Sequence, residues 1–214
     1  SASTPLDEGS GIAGTTARLT RNGYGENLTL DEENYNKDLW AFRGTMEMDP
    51  NDAISLRLSG DRTIDRSDPR GGYRLIPSLC DAPCGQPAFA VLNDKYDTRG
   101  ALNGPDQKVR GGGMAFHGAC DLSESFKLTS ITSYRESKSW TPIDFDALPA
   151  IDVDVPAIYQ DDQFSQEVQL EIDRGPLAGV VGIYYLDANA QNIFDVRLYT
   201  TRPLPVVLPG PIVL

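Results

Sequence analysis

Trp40-Ala41-Phe42-Arg43-Gly44-Thr45-Met46-Glu47-Met48, Asp49-Pro50-Asn51-Asp52, Ile54-Ser55-Leu56-Arg57-Leu58-Ser59-Gly60-Asp61: two alternating runs are joined by one tight polar turn. In the first run Trp40, Phe42, Met46 and Met48 share one face and Arg43, Thr45 and Glu47 the other. In the second, Ile54, Leu56 and Leu58 oppose Ser55, Arg57, Ser59 and Asp61. A period of two with a turn cluster between the runs is the signature of an antiparallel strand pair.

The pattern repeats along the chain. Met114, Phe116, Gly118 and Cys120 oppose Ala115, His117 and Ala119, and Phe164, Val168, Leu170 and Ile172 oppose Ser165, Glu167, Gln169 and Glu171. Phe126–Arg135 and Leu177–Asp187 are rich in β-formers, and Ile12–Arg21 is a weaker seventh segment. Asp121-Leu122-Ser123-Glu124-Ser125 and Asp173-Arg174-Gly175-Pro176 are further tight turns. The other connections are long: roughly Gly23 to Tyr35, Asp65 to Gln107, Thr141 to Asp162, and the stretch after Ala188. Short turns at one end and long loops at the other describe the wall of an outer-membrane β-barrel. Trp40, Tyr134 and Trp140 fall toward the long-loop ends, where an aromatic girdle belongs. Alternation alone is also what a soluble antiparallel sandwich writes, because the apolar face of either needs only a non-aqueous neighbour.

Composition narrows the function. The 214 residues carry a net charge of −12, with 19 Lys and Arg against 31 Asp and Glu, and no basic run. That argues against nucleic-acid binding, which needs a basic footprint. Mean hydropathy is −0.34, and no run approaches the roughly 18 apolar residues of a membrane-spanning helix, a test that barrel strands escape. The chain opens on Ser1-Ala2-Ser3-Thr4 and stops in a Pro-rich stretch at Pro211-Ile212-Val213-Leu214, so a piece of a longer chain is expected.

Catalytic signals are weak. The single histidine, His117, sits in a strand without a G-x-S-x-G nucleophile motif nearby and reads as a polar wall residue. Gly111-Gly112-Gly113 precedes no helix, so it reads as a place of close backbone approach or a bulge, not a phosphate loop. No enzyme activity, cofactor or metal is expected. Cys80 and Cys84, set among Pro77, Pro83 and Pro87, suit a local disulfide in an oxidising compartment, with Cys120 as a small apolar wall residue. A metal site there would need two more soft ligands, and His117 and Cys120 lie on another segment. Arg43, Arg57, Arg110 and Arg135 are expected to pair with Glu47, Asp61, Glu167 and Glu171 across a polar interior.

The most distinctive polar element is the stretch holding Asp144, Asp146, Asp152, Asp154 and Tyr159. As an ordered loop its acids are solvated or paired with arginines. As part of a receptor they are candidate ligand contacts, since loops on a rigid scaffold carry recognition. Alternating Asp residues also suit calcium, but the EF-hand order is missing.

Several stretches resemble TonB-dependent outer-membrane receptors, particularly the group found in sphingomonad-like proteobacteria. They are Ala17-Arg18-Leu19-Thr20-Arg21-Asn22-Gly23-Tyr24-Gly25-Glu26-Asn27, Tyr35-Asn36-Lys37-Asp38-Leu39-Trp40, Leu128-Thr129-Ser130-Ile131-Thr132-Ser133-Tyr134-Arg135, Gln163-Phe164-Ser165-Gln166-Glu167-Val168-Gln169-Leu170 and Val180-Val181-Gly182-Ile183-Tyr184-Tyr185-Leu186-Asp187. The resemblance implies an all-β antiparallel meander of about seven strands, residues 1–214 being part of a barrel of about 22 strands. It also implies bacterial outer-membrane lipid, an own plug domain and a TonB energy-transducing complex as partners, the last reached through an N-terminal segment not seen in this sequence. The implied function is import of a scarce nutrient such as an iron–siderophore complex, with a small-molecule ligand the sequence does not name. The competing expectation is a secreted all-β binding module whose acidic loops grip calcium or carbohydrate.

Overall fold

The computed structural model describes residues 1–78, 89–101, 106–151 and 153–198. Eight strands form one antiparallel meander: β1 (Ala2–Asp7), β2 (Ser10–Arg21), β5 (Lys37–Asn51), β6 (Ile54–Asp65), β7 (Lys108–Ser123), β8 (Phe126–Asp144), β9 (Val153–Arg174) and β10 (Leu177–Phe194). A small hairpin, β3 (Gly25–Asn27) with β4 (Glu32–Asn34), rises from the first long loop, and β11 (Arg197–Leu198) adds two residues to the far end of β9. Every wall strand pairs with its neighbour in sequence. Turns at Glu8-Gly9, Asp52-Ala53, Glu124-Ser125 and Gly175-Pro176 lie at one end, and the long connections lie at the other. The sequence pattern missed β1, whose Ala2-Ser3-Thr4-Pro5 does not alternate, so the wall has eight strands where about seven were expected.

The register carries the two faces across the sheet. Ile12, Met46, Leu58, Phe116, Thr132, Gln166 and Tyr185 form one continuous row, and Met48, Leu56, Gly118, Ser130, Val168 and Ile183 form another on the same side. Met46, Leu58, Met114, Phe116, Leu128, Tyr134, Phe164, Val168 and Ile183 on that face are all exposed. The buried apolar residues are few and small (Ala101, Ala119, Ala147, Val155 and Ala157), and four of the five lie toward the long-loop end. A soluble sandwich would bury these large side chains under a second sheet, as packed domains do. Here no second layer covers them among the described residues. From Phe126 to Tyr134 the apolar rows span about 26 Å along the strand at ~3.3 Å per residue. At a tilt near 40° that is about 20 Å of height, close to the ~25 Å lipid-facing band of outer-membrane barrels.

The opposite face is polar, and there Arg57 Nε pairs with Glu47 at 2.7 Å and Arg135 with Asp61 at 2.9 Å. Arg110 departs from the expected ladder. It lies opposite Ile64 and Lys138, on the face that carries Trp40, because an even-numbered position on β7 points to the apolar side.

Gly112 and Gly113 explain how ion pairs cross a whole strand. Gly113 stands between Asp61 on β6 and Arg135 on β8, and Gly112 stands between Arg62 and Glu136 on the other face. With no side chain on β7, Arg135 reaches Asp61 and Arg62 Nη1 reaches Glu136 at 3.1 Å, each directly over a glycine. A Cβ on Gly113 would come within 2.5 Å of the Tyr134 carbonyl and 2.7 Å of Arg135 Cγ. The expected close backbone approach is therefore what these glycines provide.

The stretch from Thr141 to Asp162 is not the long loop expected. β8 continues to Asp144 and β9 begins at Val153, leaving a short connection. Pro142 faces Pro156 directly, and neither has an N–H to give. Each also sits where its outer neighbour has ended: β7 starts opposite Trp140, and β10 stops opposite Ala157. Proline at an unpaired edge costs no ladder bond, so Ile143, Val153, Val155 and Ile158 carry the strands onward.

These contacts give a direct test. Gly113→Val should lower folding yield and thermal resistance of the folded band in heat-modifiability gels, because the branched side chain separates Asp61 from Arg135. Gly44→Ala, whose Cβ would meet nothing within 4 Å, should behave as the parent does.

Candidate functional site

The long-loop end holds two groupings of polar side chains. The first is the acidic corner at the tip of the β8–β9 ribbon. Asp144 and Asp154 face each other in register, and Asp146 curls back from the connection. The three carboxylates lie within 4.8 Å of one another, and Asp154 is wholly buried. Asp144 Oδ1 accepts N–H bonds from Asp146 at 2.9 Å and Ala147 at 2.5 Å, while Asp146 accepts from Leu148 and Val153. These bonds hold Ala147 at φ 53°, a left-handed conformation that an alanine seldom adopts unaided. The acids therefore shape the turn, and three close oxygens are also the donor type a hard cation takes.

Of the residues singled out in the sequence, the fold brings Asp144, Asp146 and Asp154 together. Tyr159 stands apart, five residues further along β9 opposite Ser139, and is about half exposed. Asp144, Asp154 and Tyr159 are strand residues and not loop residues. Asp152, Cys80 and Cys84 lie outside the described residues. Cys120 is a free thiol in the apolar row with Ile54 and Leu128, as its flanking pattern suggested.

The second grouping was not read from the sequence. Tyr24, Tyr35 and Tyr96 come from three separate stretches and form one aromatic cluster. Tyr24 stacks on Tyr35 at 5.0 Å and 12°, and Tyr96 meets Tyr24 edge-on at 5.0 Å. The Arg21 guanidinium lies 5.1 Å from the Tyr24 ring and donates to the Tyr35 carbonyl at 2.5 Å. The β3–β4 hairpin is clamped to the 94–100 segment by Leu28 N to Thr98 O and Thr98 N to Glu26 O, both 2.9 Å, with Asn27 and Thr98 buried between them. A side chain at Gly25 would run into the Tyr96 backbone, so glycine there lets the two segments meet.

Tyr35 is at φ 64°. For a bulky side chain this region is a true outlier, tolerated where surrounding contacts over-determine it. Stacking on Tyr24 and the hydroxyl bond to Gly71 O at 3.1 Å supply those contacts. Beside this cluster a cavity of about 640 Å³ is lined by Arg21, Tyr24, Tyr35, Lys37, Asp68 and Arg70, among others. Arg21 and Lys37 are a cross-strand pair, and Arg21 is six residues from Thr15, the partner of Arg43. An even step keeps them on the polar face of the wall.

Burial raises the Asp68 carboxyl above the ordinary carboxylate range, with help from the nearby charges of Asp106 and Glu33, while the Asn36 side-chain bond opposes it. Burial also raises the Tyr35 phenol, with Tyr24 adding to it and Arg70 opposing. A raised acid favours folding below its unfolded pKa, and that contribution is lost as pH climbs through the folded value. Asp68→Asn should consequently slow hydrogen exchange of the Asp68 amide, which donates to Asn36, at pH 7 and leave it unchanged near pH 3. Equal protection at both pH values would contradict the burial penalty.

No family model matches the sequence, and no curated protein matches it. Among solved structures, the ferric yersiniabactin uptake receptor FyuA from Yersinia pestis superposes with a TM-score of 0.66 at 13% identity, over 94% of this chain and 29% of that one. The chain thus spans under a third of that receptor's length. The shared feature is the fold: an all-β antiparallel wall like that of a TonB-dependent receptor barrel.

Proposed function

We propose that residues 1–214 are part of the wall of a TonB-dependent receptor that imports a scarce nutrient, such as an iron–siderophore complex, across the bacterial outer membrane. The observation that carries this reading is the uncovered apolar face of a one-layer sheet, bounded by Tyr134 above and Phe126 below. Lipid is the partner that satisfies such a face, because hydrocarbon asks nothing of side-chain hydrogen bonding and the ladder already pairs the backbone. The likeness to a ferric uptake receptor supports the same class. In this reading further strands and a plug outside residues 1–214 complete the barrel, and a TonB complex supplies the energy. The reading includes the sphingomonad-like group, which rests on the sequence motifs alone. Asp144, Asp146, Asp152, Asp154 and Tyr159 belong to the ligand-facing end, and the wall performs no covalent chemistry. A secreted binding module would need a second layer over Met114, Phe116 and Ile183.

Two experiments test this. In the intact receptor, Leu56→Arg or Phe116→Arg should cost about 2–4 kcal/mol of folding stability if near the membrane midplane. Ser55→Arg and Gln169→Arg, on the polar face, should be tolerated, and equal damage at both pairs would sink the lipid-facing assignment. Epitopes inserted near Asp94 or Ala150 should be labelled on intact cells, whereas those near Asn51 or Ser123 should stay hidden. The reverse pattern would invert the orientation.

A further inference from the structure

The cavity beside the tyrosine cluster differs in charge from the rest of the chain. The protein as a whole carries −12, yet Arg21, Lys37 and Arg70 line this cavity against two carboxylates, Asp65 and Asp68. Both carboxylates already accept hydrogen bonds from neutral neighbours. Asp65 Oδ1 takes the N–H of Ser67 at 2.8 Å and its hydroxyl at 2.5 Å, and Asp68 Oδ2 takes the Asn36 amide. Arg21 donates one N–H to the Tyr35 carbonyl and lies over the Tyr24 ring, but no cation of the cavity is neutralised by a carboxylate. Among the described residues, the ion pairs are Arg18–Asp38, Arg57–Glu47, Arg62–Glu136, Lys127–Asp121, Arg135–Asp61 and Arg197–Asp195, and none involves Arg21, Lys37 or Arg70. The raised Asp68 carboxyl lowers the negative charge of the cavity further as pH falls.

We infer that this cavity is a binding site for a small organic anion carrying a planar ring, a class represented by aromatic carboxylates. The cations supply charge, and Arg21 adds a planar fork suited to a carboxylate. The Tyr24–Tyr35 stack supplies an aromatic wall, with the face of Tyr35 turned from Tyr24 left for a planar ring. The volume, about 640 Å³, falls in the range of small-molecule pockets, roughly 300–1,000 Å³. Tyr35 is held at φ 64° by the same stack that forms the cavity wall, so the aromatic surface is fixed before a ligand arrives. The cavity lies on the polar face at the long-loop end, where an imported molecule would first meet the wall. This inference rests on the proposed receptor function.

The test uses the intact receptor in detergent micelles and three probes: 4-hydroxybenzoate, its neutral counterpart 4-hydroxybenzamide, and the ring-saturated cyclohexanecarboxylate. Saturation-transfer NMR titrations should show 4-hydroxybenzoate binding tighter than either other probe by at least about fivefold. The Lys37→Gln, Arg70→Gln double variant should weaken it about tenfold, while Lys127→Gln, at the opposite end of the wall, should not. Equal binding of benzoate and benzamide, an unaffected double variant, or no binding at all to a folded receptor would each overturn the inference. Surface labelling near Asp94 is checked on the intact cells before extraction, and heat-modifiable migration on the extracted receptor. If those fail, the receptor reading fails; if they hold and the probes do not bind, the anion site alone is lost.

Discussion

Everything in this wall depends on an unbroken ladder of backbone hydrogen bonds running sideways from β1 to β10. The ladder satisfies the main-chain groups of a sheet that has no second layer among the described residues, so neither face needs to be covered by protein for the backbone to be paired. Side chains are then free to sort by solvent alone. Rows such as Met46–Leu58–Phe116 gather on one face, and rows such as Glu47–Arg57–His117 gather on the other. A globular domain solves the same problem by stacking layers. This chain leaves its large apolar side chains outward and keeps what small core it has near the loops.

The polar face is organised by where side chains are missing as much as by where they stand. Two charge pairs pass over β7 at adjacent glycines, one on each side of the sheet. Both are substantially exposed, so each is worth little as an isolated ion pair. Their value is geometric: they tie β6 to β8 across an intervening strand and fix the local register, which in a sheet decides which face every side chain meets.

Much of the wall was legible because a period of two survives in any environment. Leu56, Phe116 and Val168 declared their face with no knowledge of what lay against it. The upper part of β8 and β9 was hidden because Thr141 to Asp162, which holds Pro142 and Pro156, read as one long connection. Only the pairing shows that their neighbours have already ended, and that information is non-local. The three aspartates were visible as a cluster of acids, but their convergence depends on the Asp144–Asp154 register. The tyrosine cavity was illegible for a similar reason. Tyr24 and Tyr35 are near in sequence, but Tyr96 and Arg70 arrive on a different loop. The positive φ of Tyr35, the sharpest local sign of the site, is not written in residue type.

Beyond Trp140 and Ala157 the sheet narrows, among the described residues, to a ribbon of β8 and β9 edged by two residues of β11. Two-stranded ribbons twist more strongly than broad sheets, so the direction in which the tip points is a sum over every residue in that overhang. Adding or deleting one residue in a single strand there would shift the pleat by half a period and turn Asp144 away from Asp154. The acid corner is therefore dimensioned by strand length, and its aim is adjustable in steps without touching the broad part of the sheet below it.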